Sequence, residues 1–268
     1  MTSRDWRADR EAVFDRDAFT CRHCGTDADG DDESTALRLY PVGDVPLEGE
    51  VHESALVTVC ADCFATLEEP ERTESMAADD LFQLVRETTR LQGTTISAVA
   101  EFTSLATSLP STLQSALDDG TDADVDDTLA EYRRDRRDIL LAVAVVDARL
   151  ERLSTLDDDA YDPEVRTALA AFSDAAADLQ STLREVVALS ETVATGLERC
   201  HGCFDPLEGE RCPTCGLEAR ETADWQDEDS TLAFDRLFAT VNERLQGASE
   251  TTETLTDRTT ALAERLTA

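Results

Sequence analysis

The chain has no lysine. All 24 basic residues among its 268 are arginine, set against 59 acidic residues for a formal net charge of −35. Cations this scarce exclude a basic tail as the means of holding nucleic acid. Long apolar runs are also missing. The longest, 139–146, is closed by Asp138 and Asp147, far short of the roughly 20 residues that a membrane helix needs. No apolar stretch follows Met1-Thr2-Ser3-Arg4-Asp5, so neither a secretory leader nor a membrane partner is expected, and the expected location is cytoplasmic. A Walker loop, a dinucleotide fingerprint, a nucleophile elbow and a His-Glu-x-x-His pair are all absent, which removes the chemistries those motifs serve.

What is present is enough for a core. Hydrophobic residues make up 41%, so the charge does not imply global disorder. The acid is spread along the whole chain, and 35 like charges repel one another at ordinary ionic strength. At about 1 M salt the screening length falls to roughly 3 Å. An acid-rich, lysine-free composition therefore fits a halophile protein that works in a salty cytoplasm.

All eight cysteines fall in Cys-x-x-Cys pairs: Cys21/Cys24, Cys60/Cys63, Cys200/Cys203 and Cys212/Cys215. Two such pairs supply the four thiolates of a tetrahedral zinc site. The expectation is two structural Zn²⁺ ions, each held by neighbouring pairs. Eight residues separate Cys203 from Cys212, a length that predicts a compact zinc ribbon with a short hairpin turning at Glu208-Gly209. Gly202 and Gly216 are expected to allow its turns. His23 and His201 sit inside loops that already supply two thiolates, so neither is needed as a ligand.

Organisation follows in order. Residues 1–70 form a small cysteine-bearing unit, with a helix over 5–14, strands at 37–40 and 55–59, and a helix beginning at 64–67. An acidic loop at 27–33 and a turn at 43–50 lie between. From about residue 74 apolar positions recur at alternating spacings of three and four, as in Leu81, Leu84, Thr88, Leu91, Thr95, Ala98, Phe102, Leu105 and Leu109. The same rhythm runs over 125–153, 165–197 and 234–266, which is the pattern of packed, coiled-coil-like helices. Pro110 is expected to kink or end part of the first of these helices, and Gly120 to stop it. Asp162 caps the third, with Pro163 at its first position. The predicted fold is mainly α: an antiparallel four-helix bundle, with helices one to three over 74–199, the zinc ribbon at 200–217 and helix four over 229–268. The N-terminal unit is expected near the start of helix one. Helix four has its weakest seam past Ala248 and is expected to project or to form a homodimer. Pro-Leu-Glu-Gly-Glu occurs at both 46–50 and 206–210 and reads as two turns.

The N-terminal unit also resembles a known family. The segment from Arg16-Asp17-Ala18-Phe19-Thr20 through Cys21-Arg22-His23-Cys24-Gly25, then Leu56-Val57-Thr58-Val59-Cys60 and Cys60-Ala61-Asp62-Cys63, resembles the four-cysteine HNH endonucleases over residues 4–68. The resemblance implies a ββα unit braced by zinc and an ancestral link to nucleic acid. It also implies a histidine base, an orienting asparagine and further metal ligands. This chain has Tyr40-Pro41, Ala55, Phe64 and Glu68 at those places, and His52 is the only remaining imidazole in the unit. A degenerate, non-cleaving centre is therefore expected, with His52 as the one catalytic candidate.

Arg133-Arg134-Asp135-Arg136-Arg137 is the one basic run. On a helix Arg133 and Arg137 share a face, while Arg136 falls on the seam. It reads either as a phosphate or partner-carboxylate contact, or as intrahelical pairs with Glu131, Asp135 and Asp138. Arg4, Arg7, Arg10, Arg16 and Arg22 are closely spaced, but acids interleave them. Three functions compete: an HNH-like zinc protein serving as a DNA- or RNA-associated or regulatory module, a zinc-ribbon and coiled-coil scaffold that binds other proteins, and an active metal-dependent HNH endonuclease.

Overall fold

A computed structural model describes residues 6–27, 36–45, 51–68, 76–119, 122–156, 161–228 and 231–267. It is mainly helical. In chain order the elements are α1 (Trp6–Arg16), β1 (Leu37–Pro41), β2 (Leu56–Cys60), α2 (Ala61–Glu68), α3 (Ala78–Asp119), α4 (Asp122–Ser154), α5 (Pro163–Gly196) and α6 (Phe234–Thr267). The acidic loop at 27–33, the turn at 43–50, the linker from 157 and the stop at Gly120 fall wholly or partly outside the described residues. No helix among the described residues is long and apolar enough to cross a membrane.

The four long helices share one core, because each turns a three-four stripe inward. Phe102, Leu109, Tyr132, Ile139, Phe172, Leu179, Leu183, Leu255 and Leu262 are all withdrawn from solvent there. Polar cross-links give the directions. Gln92 Nε2 donates to the Ala176 carbonyl at 2.7 Å, and Thr103 lies 3.0 Å from Ser190, so α3 and α5 run parallel. Gln180 Nε2 donates to the Val143 carbonyl at 2.8 Å, while Arg136 reaches Glu191, so α4 runs against α5. Arg244 pairs with Glu185 and Arg265 with Glu164, so α6 also runs against α5.

Three expectations fail here. Pro110 neither ends α3 nor divides it: the helix is continuous for 42 residues. The seam of α3 shifts by one position in its middle, burying Gln92 and Val99 where the heptad reading placed Leu91 and Ala98. And α6 does not project: Ala248, Leu255 and Leu262 are buried against α5 and α3. Threonines at the intervening positions weaken the apolar signal of α6 without removing its large side chains from the core.

The N-terminal unit pairs β1 and β2 antiparallel, with Tyr40 opposite Val57 and Leu37 opposite Cys60, and α2 follows β2 directly. Every residue of β2 is buried. The unit does not sit at the start of α3. Its own small core, with Cys21, Val42, Val57, Val59 and Cys60, closes on Leu141 and Val145 of α4. This explains the apolar run 139–146. Ile139 and Val143 face the long helices, while Leu141 and Val145 face the unit, so α4 is apolar on two sides at that level.

Candidate metal clusters and an arginine-lined cleft

Three of the four cysteine pairs are built the same way. The first cysteine donates its N–H to a carbonyl five residues on: Cys21 to Thr26 at 2.9 Å, Cys200 to Asp205 at 2.9 Å and Cys212 to Leu217 at 2.8 Å. Its own carbonyl accepts from the N–H four residues on, from Gly25, Phe204 and Gly216. Those three residues have positive φ angles of 75°, 66° and 76°, a conformation cheap for glycine and strained for phenylalanine. Gly202 is not left-handed as expected. It is small because a Cβ there would run into Leu217. Nor does the expected hairpin span the two pairs of the ribbon. Isolated bridges join Arg199 to Pro206 and Arg211 to Glu218, so each pair closes its own knuckle, and Gly209, at φ 89°, only turns the chain between them. The fourth pair is different: Cys60 ends β2 and Cys63 lies in the first turn of α2.

The knuckles bring the cysteines into two groups, Cys21/Cys24/Cys60/Cys63 and Cys200/Cys203/Cys212/Cys215, with all sulfurs of each group within 4.8 Å of one another. Neighbouring sulfurs lie 3.7 Å apart for Cys24 and Cys60, 3.4 Å for Cys200 and Cys215, and 3.5 Å for Cys203 and Cys212. A tetrahedron of zinc–sulfur bonds separates its sulfurs by about 3.8 Å, so either group could hold a metal ion. The hydrogen bond from Cys63 holds the Cys21 thiol down to about 4 against the opposing effect of burial. Cys200 is pushed far below its ordinary value by Cys203 and Cys215, with help from the Gly202 N–H. The groups differ in access: all four ribbon cysteines are buried, whereas Cys24 is exposed and Cys63 partly so.

Two of the positions singled out by the family resemblance pack against each other. The rings of Tyr40 and Phe64 meet edge to face, with centroids 6.3 Å apart, and the Arg38 guanidinium lies 5.2 Å over the Phe64 ring. Ala55 is buried and Glu68 is exposed. His52 caps the short 3₁₀ turn Glu53–Ala55. Its Nδ1 accepts from the Ser54 N–H at 3.1 Å and lies 2.9 Å from the Ser54 hydroxyl.

The arginines do converge. A cleft of about 990 Å³ opens between the N-terminal unit, the middle of α4 and the ribbon, and Arg16, Arg22, Arg133, Arg134 and Arg137 all line it. His52 lies on the same wall. Most of these cations have local work. Arg16 holds Asp17 at 2.8 Å and donates to the Glu53 and Leu56 carbonyls. Burial alone would raise the Asp17 carboxyl, but Arg16 and the Thr58 N–H together hold it below its ordinary value. Arg22 forms a two-pronged pair with Asp138, which ties the Cys21 knuckle to α4. Arg134 pairs with Asp135 and Glu131, as the local reading of the run expected. Arg133 Nη1 donates to the Cys203 carbonyl at 3.4 Å, and Tyr132 donates to the His201 carbonyl at 3.2 Å. Phe204 meets Tyr132 edge to face, with centroids 5.3 Å apart. Residues 132 and 133 thereby dock the ribbon on α4. Arg4 lies outside the described residues, and Arg10 sits over the Phe14 ring instead of in the cleft.

Arg136, expected on the seam, is fully buried there, and Glu191 is its partner. Glu191 also binds Arg220, which reaches Asp44 of the N-terminal unit at 2.9 Å. Burial would raise the Glu191 carboxyl, but Arg136, His201 and Arg220 outweigh it and hold it low. His201, buried beside this chain of charges, is pushed down by burial. Sequence reasoning missed Glu191. It follows the seam position Ser190, and nothing local distinguishes it from the surface acids. Asp17 was visible only as part of the family-like motif.

No protein-family model matches the chain, and searches of curated proteins and of solved structures find no match.

Proposed function

We propose that this protein is a zinc-stabilised, non-cleaving module that associates with nucleic acid, derived from an HNH-type unit set on a four-helix bundle. The observation that carries this reading is the cleft. In a chain with a net charge of −35, five of its 24 arginines line one opening, interleaved with six acidic residues and walled by both cysteine-clamped elements. Arginine forks suit phosphate oxygens, and local guanidinium contacts are what remains useful when high salt suppresses counterion release. Four thiolates per cluster, with no open ligand position, suit zinc in a structural role. Cleavage has no support. Tyr40 and Phe64 fill with packed rings the places where the resemblance puts polar groups, and general-base chemistry needs an imidazole within reach of its proton. The scaffold reading draws little support either, since Phe19 and Val45 are the only exposed large apolar residues among the described ones.

The test is fluorescence anisotropy of labelled DNA and RNA oligonucleotides with the full chain in molar KCl. Saturable binding is expected. Absence of binding across the whole range of salt in which the protein is folded would end this reading.

A further inference from the structure

Arg137 stands apart in the cleft. It is 8% exposed, yet it makes no hydrogen bond or ion pair among the described residues. The two carboxylates nearest in charge, Asp17 and Asp138, are already held by Arg16 and Arg22. Its other close charges are Arg16 and Arg133, which are also cations, and with burial they push its guanidinium down to about 10. The group therefore stays protonated at neutral pH while buried and unpaired. None of its nitrogens is among the buried side-chain atoms left without a partner, so its fork reaches the open space of the cleft, where its five N–H donors can meet a ligand. Arg136, one residue away and more deeply buried, is held instead in the core of the long helices, with its Nε on Glu191. Nothing of the kind faces Arg137, and its wall of α4 opens into the cleft.

The geometry points to an oxyanion pocket anchored by Arg137 that seats one phosphodiester group of a nucleic-acid strand, an inference that rests on the nucleic-acid association proposed above. Arg137 supplies the buried fork at the floor. Arg133 and Arg134 stand one turn back along α4 and guide the neighbouring phosphates. The acids that also line the cleft, such as Glu53, Asp127 and Asp205, exclude an acidic peptide, whose side chains would meet them at every step. A sugar–phosphate strand presents its charge at intervals and can place one phosphate at Arg137 between them.

Two variants test this in the full-length chain: Arg137→Met, which keeps bulk and removes charge, and Arg137→Lys, which keeps charge and removes the fork. Anisotropy with a fluorescein-labelled oligonucleotide in molar KCl reads binding, and the thermal midpoint reads folding. Arg137→Met is expected to bind about tenfold or more weakly, with a log–log salt slope shallower by about one. Its midpoint is expected to match that of the wild type, because Arg137 makes no hydrogen bond or ion pair among the described residues for the change to remove. A merely structural arginine would give the opposite, a lower midpoint with binding and slope unchanged. Arg137→Lys covers the case in which the methionine variant fails to fold: weakened binding with a retained slope supports the pocket. Unaltered oligonucleotide binding in either folded variant overturns the pocket and leaves the proposed function standing. If the wild type binds no oligonucleotide, but phosphate at matched ionic strength raises its midpoint and not that of Arg137→Met, the pocket stands and nucleic acid is removed as its occupant. If neither ligand acts on the wild type, both readings are overturned.

Discussion

Arg136 and Glu191 meet at 2.6 Å across α4 and α5, with side chains only 1% and 0% exposed. Removing one partner strands the other. Glu191→Ala is expected to destabilise the protein by about 3–5 kcal/mol, and the double change Arg136→Met with Glu191→Leu by clearly less than either single change. A thermodynamic cycle from denaturant melts checks this. The pH dependence has a definite sign. Glu191 is held below its ordinary 4.5, so its contribution is complete above that value and is lost as the pH falls through its lower native value. The acid limb of stability against pH should flatten in Glu191→Gln.

Two metal ions per chain are expected, leaving at different rates. Cys24 is exposed while the ribbon cysteines are all buried. A chelator should therefore strip the N-terminal cluster first and the ribbon later, giving two phases in a colorimetric release assay. Release of both ions in a single phase would contradict this order. Cys212→Ser should open the ribbon and leave the long helices folded, by circular dichroism. Cys21→Ser should unfold the N-terminal unit, whose own core is too small to stand without metal.

Folding should require salt. Helical circular dichroism is expected to weaken as KCl falls from molar to about 0.1 M, where the screening length grows to roughly 10 Å and the 35 net charges repel across the molecule. Unchanged melting over that range would assign the acidity another purpose.

No plasmid nicking is expected with Mg²⁺, Mn²⁺ or Zn²⁺. His52 is engaged as the cap of the Glu53–Ala55 turn, so His52→Ala should cost about 1 kcal/mol of stability and leave a cleavage assay at background. Metal-dependent nicking that disappears in this variant would make His52 a displaced base.

Much of this was legible because short-range physics carries it. Cys-x-x-Cys pairs announce their clusters, and the three-four rhythm of residues such as Leu169, Phe172, Leu179 and Leu183 survives intact as a buried stripe. What stayed hidden depends on contacts distant in sequence. Nothing near Glu191 reveals that Arg136 lies opposite, 55 positions away. The cleft joins Arg16 and Arg22 to Arg133 and Arg137 across more than a hundred residues. The position of the N-terminal unit was misread because nothing near Leu141 and Val145, inside an already apolar run, shows that a second core closes on them. Pro110 and the threonines of α6 misled because local propensity was overruled by packing.

The second apolar side of α4 has a thermodynamic consequence. Leu141 and Val145 belong to the core of the N-terminal unit, while Ile139 and Val143 belong to the core of the long helices. A helix cannot melt on one side only, so loss of the unit exposes the middle of α4 and weakens the larger core with it. Ligand binding that favours the folded unit therefore also stabilises the long helices by linkage. With a metal held by the N-terminal cysteines, the temperature at which α3 to α6 unfold would become a function of its free concentration, although none of those four helices supplies one of these cysteines.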